Sequence, residues 1–122
     1  MSVDLAVWDG PQPASDKEAL KIFEQLYERY VERRDDAPPT ERIAAYVDAL
    51  LARYPDITEV EEGAEDTTPW NTGPLINEAA GPFIYFGMVT NSVAEEAHAY
   101  AVATARSMGL VFFDPQSCTL MR

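Results

Sequence analysis

His98 and Cys118 are the sole imidazole and the sole thiol in this sequence of 122 residues. Together they could act as a nucleophilic pair, because a histidine base within hydrogen-bond reach of a cysteine raises its thiolate fraction. One singleton of each type is a weak lead, and a competent thiol also needs an electropositive surrounding that this chain does little to supply. Metal chemistry has equally little to work with. Zinc sites gather His and Cys at short spacing, whereas His98 stands between Ala97 and Ala99 with no second His or Cys beside it. Such a histidine reads more simply as a packed helix residue, and neither a metal nor a cofactor is expected.

Carboxylates are the abundant reactive groups. With 21 Asp and Glu in the chain, a plausible general acid and base pair arises anywhere by chance, so the pairing carries no specificity. The densest acidic run could hold Ca²⁺ weakly through oxygen ligands, but it lacks the regular spacing of an EF-hand. Gly10, Gly63, Gly73, Gly81, Gly87 and Gly109 are scattered singly, which argues against a glycine-rich phosphate loop. No catalytic residue can be named, and the residues point to binding rather than to an enzyme.

Charge says what kind of binding. The 21 acids face 9 Lys and Arg, for a formal charge of −12. That balance disfavours nucleic acid and anionic membrane surfaces and favours a basic protein partner. Between Arg53 and Arg106 there is no Lys or Arg, yet that stretch holds nine acids. Six of these, Asp56, Glu59, Glu61, Glu62, Glu65 and Asp66, fall within residues 56 to 66. A run this dense is either a solvated loop or an acidic face for a cationic partner. Residues 56 to 73, broken by Gly63, Pro69 and Gly73, read as one long surface loop, and loops of that length are often functional. Trp70 within it serves equally well as the anchor of the loop or as an interface residue, while Trp8 reads as core or sheet flank.

The elements that must position these groups follow from periodicity. Val3, Leu5 and Val7 alternate with Asp4, Ala6 and Trp8, which predicts a strand. Ser15 and Glu18 have capping-box spacing and open a helix through about Arg33, with Ala19, Leu20, Phe23, Leu26, Tyr27, Tyr30 and Val31 as its apolar stripe. Thr40 caps a second helix that Pro55 ends, and the two helices are expected to pack as a hairpin. A short run at 74 to 79 and the aromatic, β-branched run at 83 to 90 predict a hairpin of strands about Gly81 and Pro82. Ser92 and Glu95 repeat the capping spacing before a helix with a small inner face, closed by Gly109. A buried strand at 110 to 113, a turn, and a last apolar piece at 119 to 121 complete the chain.

The order β-α-α-β-β-α-β predicts one α+β domain over residues 1 to 122, a ferredoxin-like split βαβ with an extra helix and with helices on one face of an antiparallel sheet. Hydrophobic residues at 47% are ample for a core. No stretch approaches the roughly 20 apolar residues of a membrane span, and the opening residues lack a basic segment leading into an apolar run. A cytoplasmic protein is therefore expected, and the single Cys118 fits a reducing compartment.

The opening Asp4-Leu5-Ala6-Val7-Trp8-Asp9-Gly10 with Pro11 and Pro13, the central Pro69-Trp70 and the late Phe113-Asp114-Pro115-Gln116 resemble a family of small acidic bacterial proteins common in actinobacteria. The likeness runs along nearly the whole chain, except the acidic stretch from Asp56 to Asp66. Some proteins of this look resemble immunity proteins of polymorphic toxin systems. That resemblance implies an intracellular protein that blocks a cognate toxin domain, with Asp114 and Gln116 either touching the partner or fixing a turn. The alternative is a regulatory or small-ligand-binding α+β domain that forms a homodimer through its sheet edges. Its pocket would lie between the helices and the sheet, near Tyr27, Tyr30, Tyr46 and Tyr54.

Overall fold

The computed structural model describes residues 2 to 121. The chain runs β1 (Ser2–Trp8), α1 (Asp16–Tyr27), α2 (Glu41–Arg53), β2 (Ala79–Ala80), β3 (Phe83–Val89), α3 (Ala94–Ser107), β4 (Val111–Asp114) and β5 (Thr119–Met121). The strands make one antiparallel sheet in the order β2-β3-β1-β4-β5. β1 is central because Leu5, Ala6, Val7 and Trp8 are all buried, which demands cover on both faces of that strand. It pairs with β3 over its full length, from Ser2 opposite Val89 to Trp8 opposite Phe83.

The expected α+β class and antiparallel sheet are present, but the helices do not share one face. The stripe of α1, with Tyr30 and Val31 beyond it, packs on Ala6, Trp8, Phe83, Val111 and Phe113. α2 and α3 cover the other face, against Leu5, Val7, Ile84, Phe86 and Phe112. α1 and α2 are therefore separated by the sheet rather than packed as a hairpin. Both sides of β1 are apolar, so a single helical layer would have left Ala6, Trp8 and Phe113 in water. The sheet also departs from a simple split βαβ, since β2 is only two residues long and β5 adds an edge beyond β4.

The change of face is made at one end of the sheet. α1 runs into a single π-helical turn, Glu28–Glu32, and the following linker grips the β2–β3 turn. Gly81 N–H donates to the Ala37 carbonyl at 3.0 Å, and Thr40 N–H donates to the Gly81 carbonyl at 2.9 Å. Gly81 sits at φ +53° with the Tyr30 hydroxyl directly over it, and a Cβ there would stand 2.6 Å from that oxygen. Both facts favour glycine.

Two of the three helix starts follow the sequence. Ser15 Oγ accepts from Glu18 N–H at 3.2 Å, Glu18 Oε2 accepts from Ala14 N–H at 3.0 Å, and Thr40 Oγ1 accepts from Ile43 N–H at 3.3 Å. α3 departs from expectation: Asn91, not Ser92, organises its entry, with Oδ1 accepting from Val93 N–H at 3.2 Å. The inner face of α3 is Ala97, Ala101 and Ala105, all fully buried, so its backbone comes close to the sheet and to α2. Tyr46 reaches across from α2 and donates its hydroxyl to the Ala101 carbonyl at 2.9 Å. Overpacking this seam should be costly. Ala101→Leu is expected to lower the unfolding free energy by about 1–3 kcal/mol, read as a lower urea midpoint at unchanged slope. An unshifted midpoint would mean that the seam is looser than the burial of Ala101 implies.

Candidate functional site

The acidic segment begins where Pro55 stops α2, and its first carboxylate is structural. Asp56 is 8% exposed. Its Oδ1 accepts from Thr58 N–H at 3.0 Å and from Thr58 Oγ1 at 2.8 Å, while Oδ2 accepts from Leu75 N–H at 2.8 Å. Burial pushes its pKa up, but the Leu75 and Thr58 donors outweigh that and hold the carboxyl below the ordinary 3.8. Gly73 passes so close that a Cβ there would collide with Asp56 Oδ1 and Ile57 Cγ2. Asp56 thus ties the start of the segment to its end and is not part of a partner-facing surface.

Trp70 is structural as well. It is 1% exposed, donates Nε1–H to the Tyr54 carbonyl at 3.2 Å, and meets the rings of Tyr54 and Phe86 edge-on. On either side of it, Pro69 O accepts from Val89 N–H at 2.8 Å and Asn71 N–H donates to Gly87 O at 3.1 Å. Residues 69 to 71 therefore lie along the part of the β3 edge that β2 is too short to cover. Of the two readings of Trp70 open in the sequence, the anchor is the one its burial supports.

What remains exposed between these two pins is Glu59, Glu61, Glu62, Glu65 and Asp66, carried on the short 3₁₀ turns Ile57–Glu59 and Glu65–Thr67 and the bend between them. None of the five forms an ion pair among the described residues. Glu65 turns its carboxylate onto its own N–H and that of Gly63, which hold its pKa below the usual range. Asn91 Nδ2 donates to the Thr68 carbonyl at 2.9 Å, fastening the segment beside the first turn of α3, where Glu95 is also exposed. Arg53, at the end of α2, is already engaged. Its Nη2 donates to Glu96 Oε1 at 2.9 Å, Tyr54 Oη donates to the same oxygen at 2.5 Å, and both contacts hold Glu96 low. The result is an acidic end of the molecule with six exposed carboxylates, Glu59, Glu61, Glu62, Glu65, Asp66 and Glu95, none of which forms an ion pair among the described residues.

The other residues singled out in the sequence are dispersed. Trp8 is core, tilted against Phe113 with centroids 6.0 Å apart. Asp114 Oδ1 accepts from Gln116 N–H at 2.9 Å and from Ser117 N–H at 3.4 Å, which forms the β4–β5 turn and leaves the Gln116 side chain exposed. His98 packs edge-on to Phe112, Cys118 lies exposed in the β4–β5 turn, and no hydrogen bond joins them among the described residues. Tyr46 and Tyr54 are buried with their hydroxyls bonded, so they fill the space between helices and sheet rather than line a pocket there. On the other face Tyr27 meets the rings of Phe23 and Tyr85, and Tyr30 packs on Phe83 and borders an open surface cleft of about 460 Å³. The Tyr54, Arg53 and Glu96 cluster escaped sequence reading because 42 residues separate the tyrosine from its acceptor. Asn91 carried a local signal, an Asx turn ahead of a helix.

Known protein families, curated proteins and solved structures were each compared with the chain, and none matches.

The two kinds of carboxylate should separate experimentally. Asp56→Ala is expected to destabilise the fold by about 2–3 kcal/mol, since it strands the Leu75 and Thr58 donors, whereas Glu61→Ala and Glu62→Ala should stay within about 0.5 kcal/mol of the parent. The Asp56 contribution also carries a pH signature. Its folded pKa is depressed, so its stabilisation is complete above 3.8 and is lost as pH falls through 3.8 toward the folded value. Chemical melts of parent and Asp56→Ala should therefore converge in that acid range. A constant gap down through it would show that the charge of Asp56 is not what binds these donors.

Proposed function

We propose that this chain is a non-catalytic binding protein that covers a basic protein surface with its acidic end, as an immunity protein neutralising a toxin or nuclease in the cytoplasm. The observation that carries the reading is the set of exposed, uncompensated carboxylates held on a segment whose two ends are buried. A nuclease that grips phosphate must gather Lys and Arg, and carboxylates presented on short turns compete for the same cations. Opposite charge over a whole face also speeds encounter, which suits a protein that must intercept its partner quickly. The toxin class of the partner comes from the resemblance of the opening and closing motifs, and no helix among the described residues is long and apolar enough to cross a membrane.

The test is joint replacement of Glu61, Glu62, Glu65 and Asp66 by lysine, measured against a cognate toxin domain identified by copurification with the chain. Association is expected to slow by about tenfold or more at low salt, and rescue of toxin-expressing cells to be lost, while the thermal midpoint stays near that of the parent. The parent's association rate should also fall steeply with added salt. Unchanged binding by the four-lysine variant would remove the acidic end from the interface.

A further inference from the structure

The two helical layers cover unequal lengths of the sheet. On the side of α2 and α3 the cover extends along β3 as far as Met88, which is 3% exposed. On the side of α1 it gives out earlier. Along β1 that face passes from Trp8 and Ala6, both buried, to Asp4, half-buried, and Ser2, exposed. Along β3 it passes from Phe83, buried, to Tyr85, half-buried, whose hydroxyl donates to the Asp4 carboxylate. Next on β3 comes Gly87, paired with Asp4, and the Asn71 side chain occupies the space over it: a Cβ on Gly87 would stand 2.8 Å from Asn71 Cγ. Directly opposed positions on one face of an antiparallel pair lie about 4.5–5.5 Å apart at Cβ, so the Asn71 amide is a neighbour of the Asp4 side chain. Asp4, Tyr85 and Asn71 thus meet on the stretch of sheet that α1 leaves bare.

Phe23 and Tyr27 form the wall where α1 steps down to this floor. Both rings meet Tyr85, with centroids 5.9 and 5.2 Å away, and both line an open cleft of about 400 Å³ with Glu24, Glu28 and Glu32. β1 and β3 contain no Lys or Arg, Asp4 forms no ion pair among the described residues, and the Asn71 amide makes no side-chain hydrogen bond among them. An anionic group is repelled by such a floor, and an aliphatic one displaces water from Asp4 and Asn71 without replacing its hydrogen bonds. A guanidinium answers each feature: its planar fork donates to the Asp4 carboxylate and the Asn71 amide oxygen, and its plane lies against the tyrosine rings. We infer that the sheet face left bare beside α1 is the docking floor for an arginine side chain of the basic partner. The inference rests on the reading of the acidic end as the partner-binding surface, and Pro69 to Asn71, bonded along the β3 edge, join the acidic segment to this floor. Loop carboxylates attract at long range, and the floor fixes orientation through directional, charge-assisted hydrogen bonds.

The probe is acetyl-Gly-Arg-Gly-amide, titrated into the ¹⁵N-labelled full chain beside its citrulline and lysine counterparts. The arginine peptide is expected to shift the backbone amides of Asp4 and Gly87 and the side-chain amide of Asn71. It should bind about threefold or more tightly than the citrulline peptide, which keeps the shape of the side chain and loses its charge. Asp4→Asn, which retains an acceptor for the Tyr85 hydroxyl, should abolish that preference while the thermal midpoint stays near that of the parent. Equal binding of arginine and citrulline would overturn the proposal, as would a preference that survives Asp4→Asn. Lysine binding as tightly as arginine at the same amides would overturn the assignment to a guanidinium. Shifts at the floor that follow protein concentration alone would overturn it in favour of a second copy of the chain. Arginine shifts confined to Glu61, Glu62, Glu65 and Asp66 would remove the floor and leave the acidic-surface reading standing. Absence of any arginine shift would also remove the floor, and the four-lysine variant, which leaves Asp4 and Asn71 in place, would then judge the wider surface by itself.

Discussion

Burial of β1 on both faces is the constraint from which the architecture follows. Leu5, Ala6 and Val7 are wholly inaccessible and Trp8 is nearly so. A fully buried large apolar side chain contributes about 1.5–3 kcal/mol, so leaving either face open would forfeit a sizeable part of a marginal net stability. One helix must therefore lie on the side of Ala6 and Trp8 while two lie on the side of Leu5 and Val7. The chain has to change sides between α1 and α2, and the end of the sheet where it does so is densely bonded. Besides the Ala37, Gly81 and Thr40 contacts, Arg42 pairs with Asp9 at 2.7 Å and Gln12 Nε2 donates to the Leu110 carbonyl at 3.2 Å.

The opposite end, where β1 begins and α3 starts, carries the acids. A segment with this much like charge should repel itself, and short-range repulsion is weak only where water and salt screen it. The structure meets that condition by sorting the carboxylates. Asp56 goes inward, where three donors replace its water, and Trp70 fills the core beside Tyr54 and Phe86. The five acids between them stay in solvent. The fold therefore fixes where the charged segment sits without burying the charge it displays.

The sequence disclosed local order well, because capping and periodicity act within a few residues. Ser15, Thr40 and the alternation of β1 correspond to the observed elements at those places. It was mute on which side of the sheet each helix takes, since the stripes of α1 and α2 are both apolar and only β1, buried on both faces, distinguishes a double-sided sheet from a single one. The available clue is that the second face of β1, with Ala6 and Trp8, is apolar too. The inward role of Asp56 and the choice between the two readings of Trp70 lie beyond local pattern for a related reason. Their partners, Leu75 N–H and the Tyr54 carbonyl, lie 19 and 16 residues away, beyond any local pattern. The exposed acids were legible, because a dense run of Glu and Asp without nearby cations has few ways to be buried.

Many residues of the opening, central and late motifs have work to do inside the fold. Leu5 to Trp8 are the doubly covered strand, Asp9 holds Arg42, Pro69 and Trp70 close the β3 edge, and Phe113 and Asp114 pack the core and form the last turn. Folding requirements alone account for their types and positions. The acidic segment is under the opposite regime: Glu59, Glu61, Glu62, Glu65 and Asp66 are exposed and form no ion pair among the described residues, and substitutions at such positions move stability by only about 0.5 kcal/mol. A scaffold divided in this way leaves the charge pattern of its acidic end free to vary while the sheet and both helical layers stay as they are.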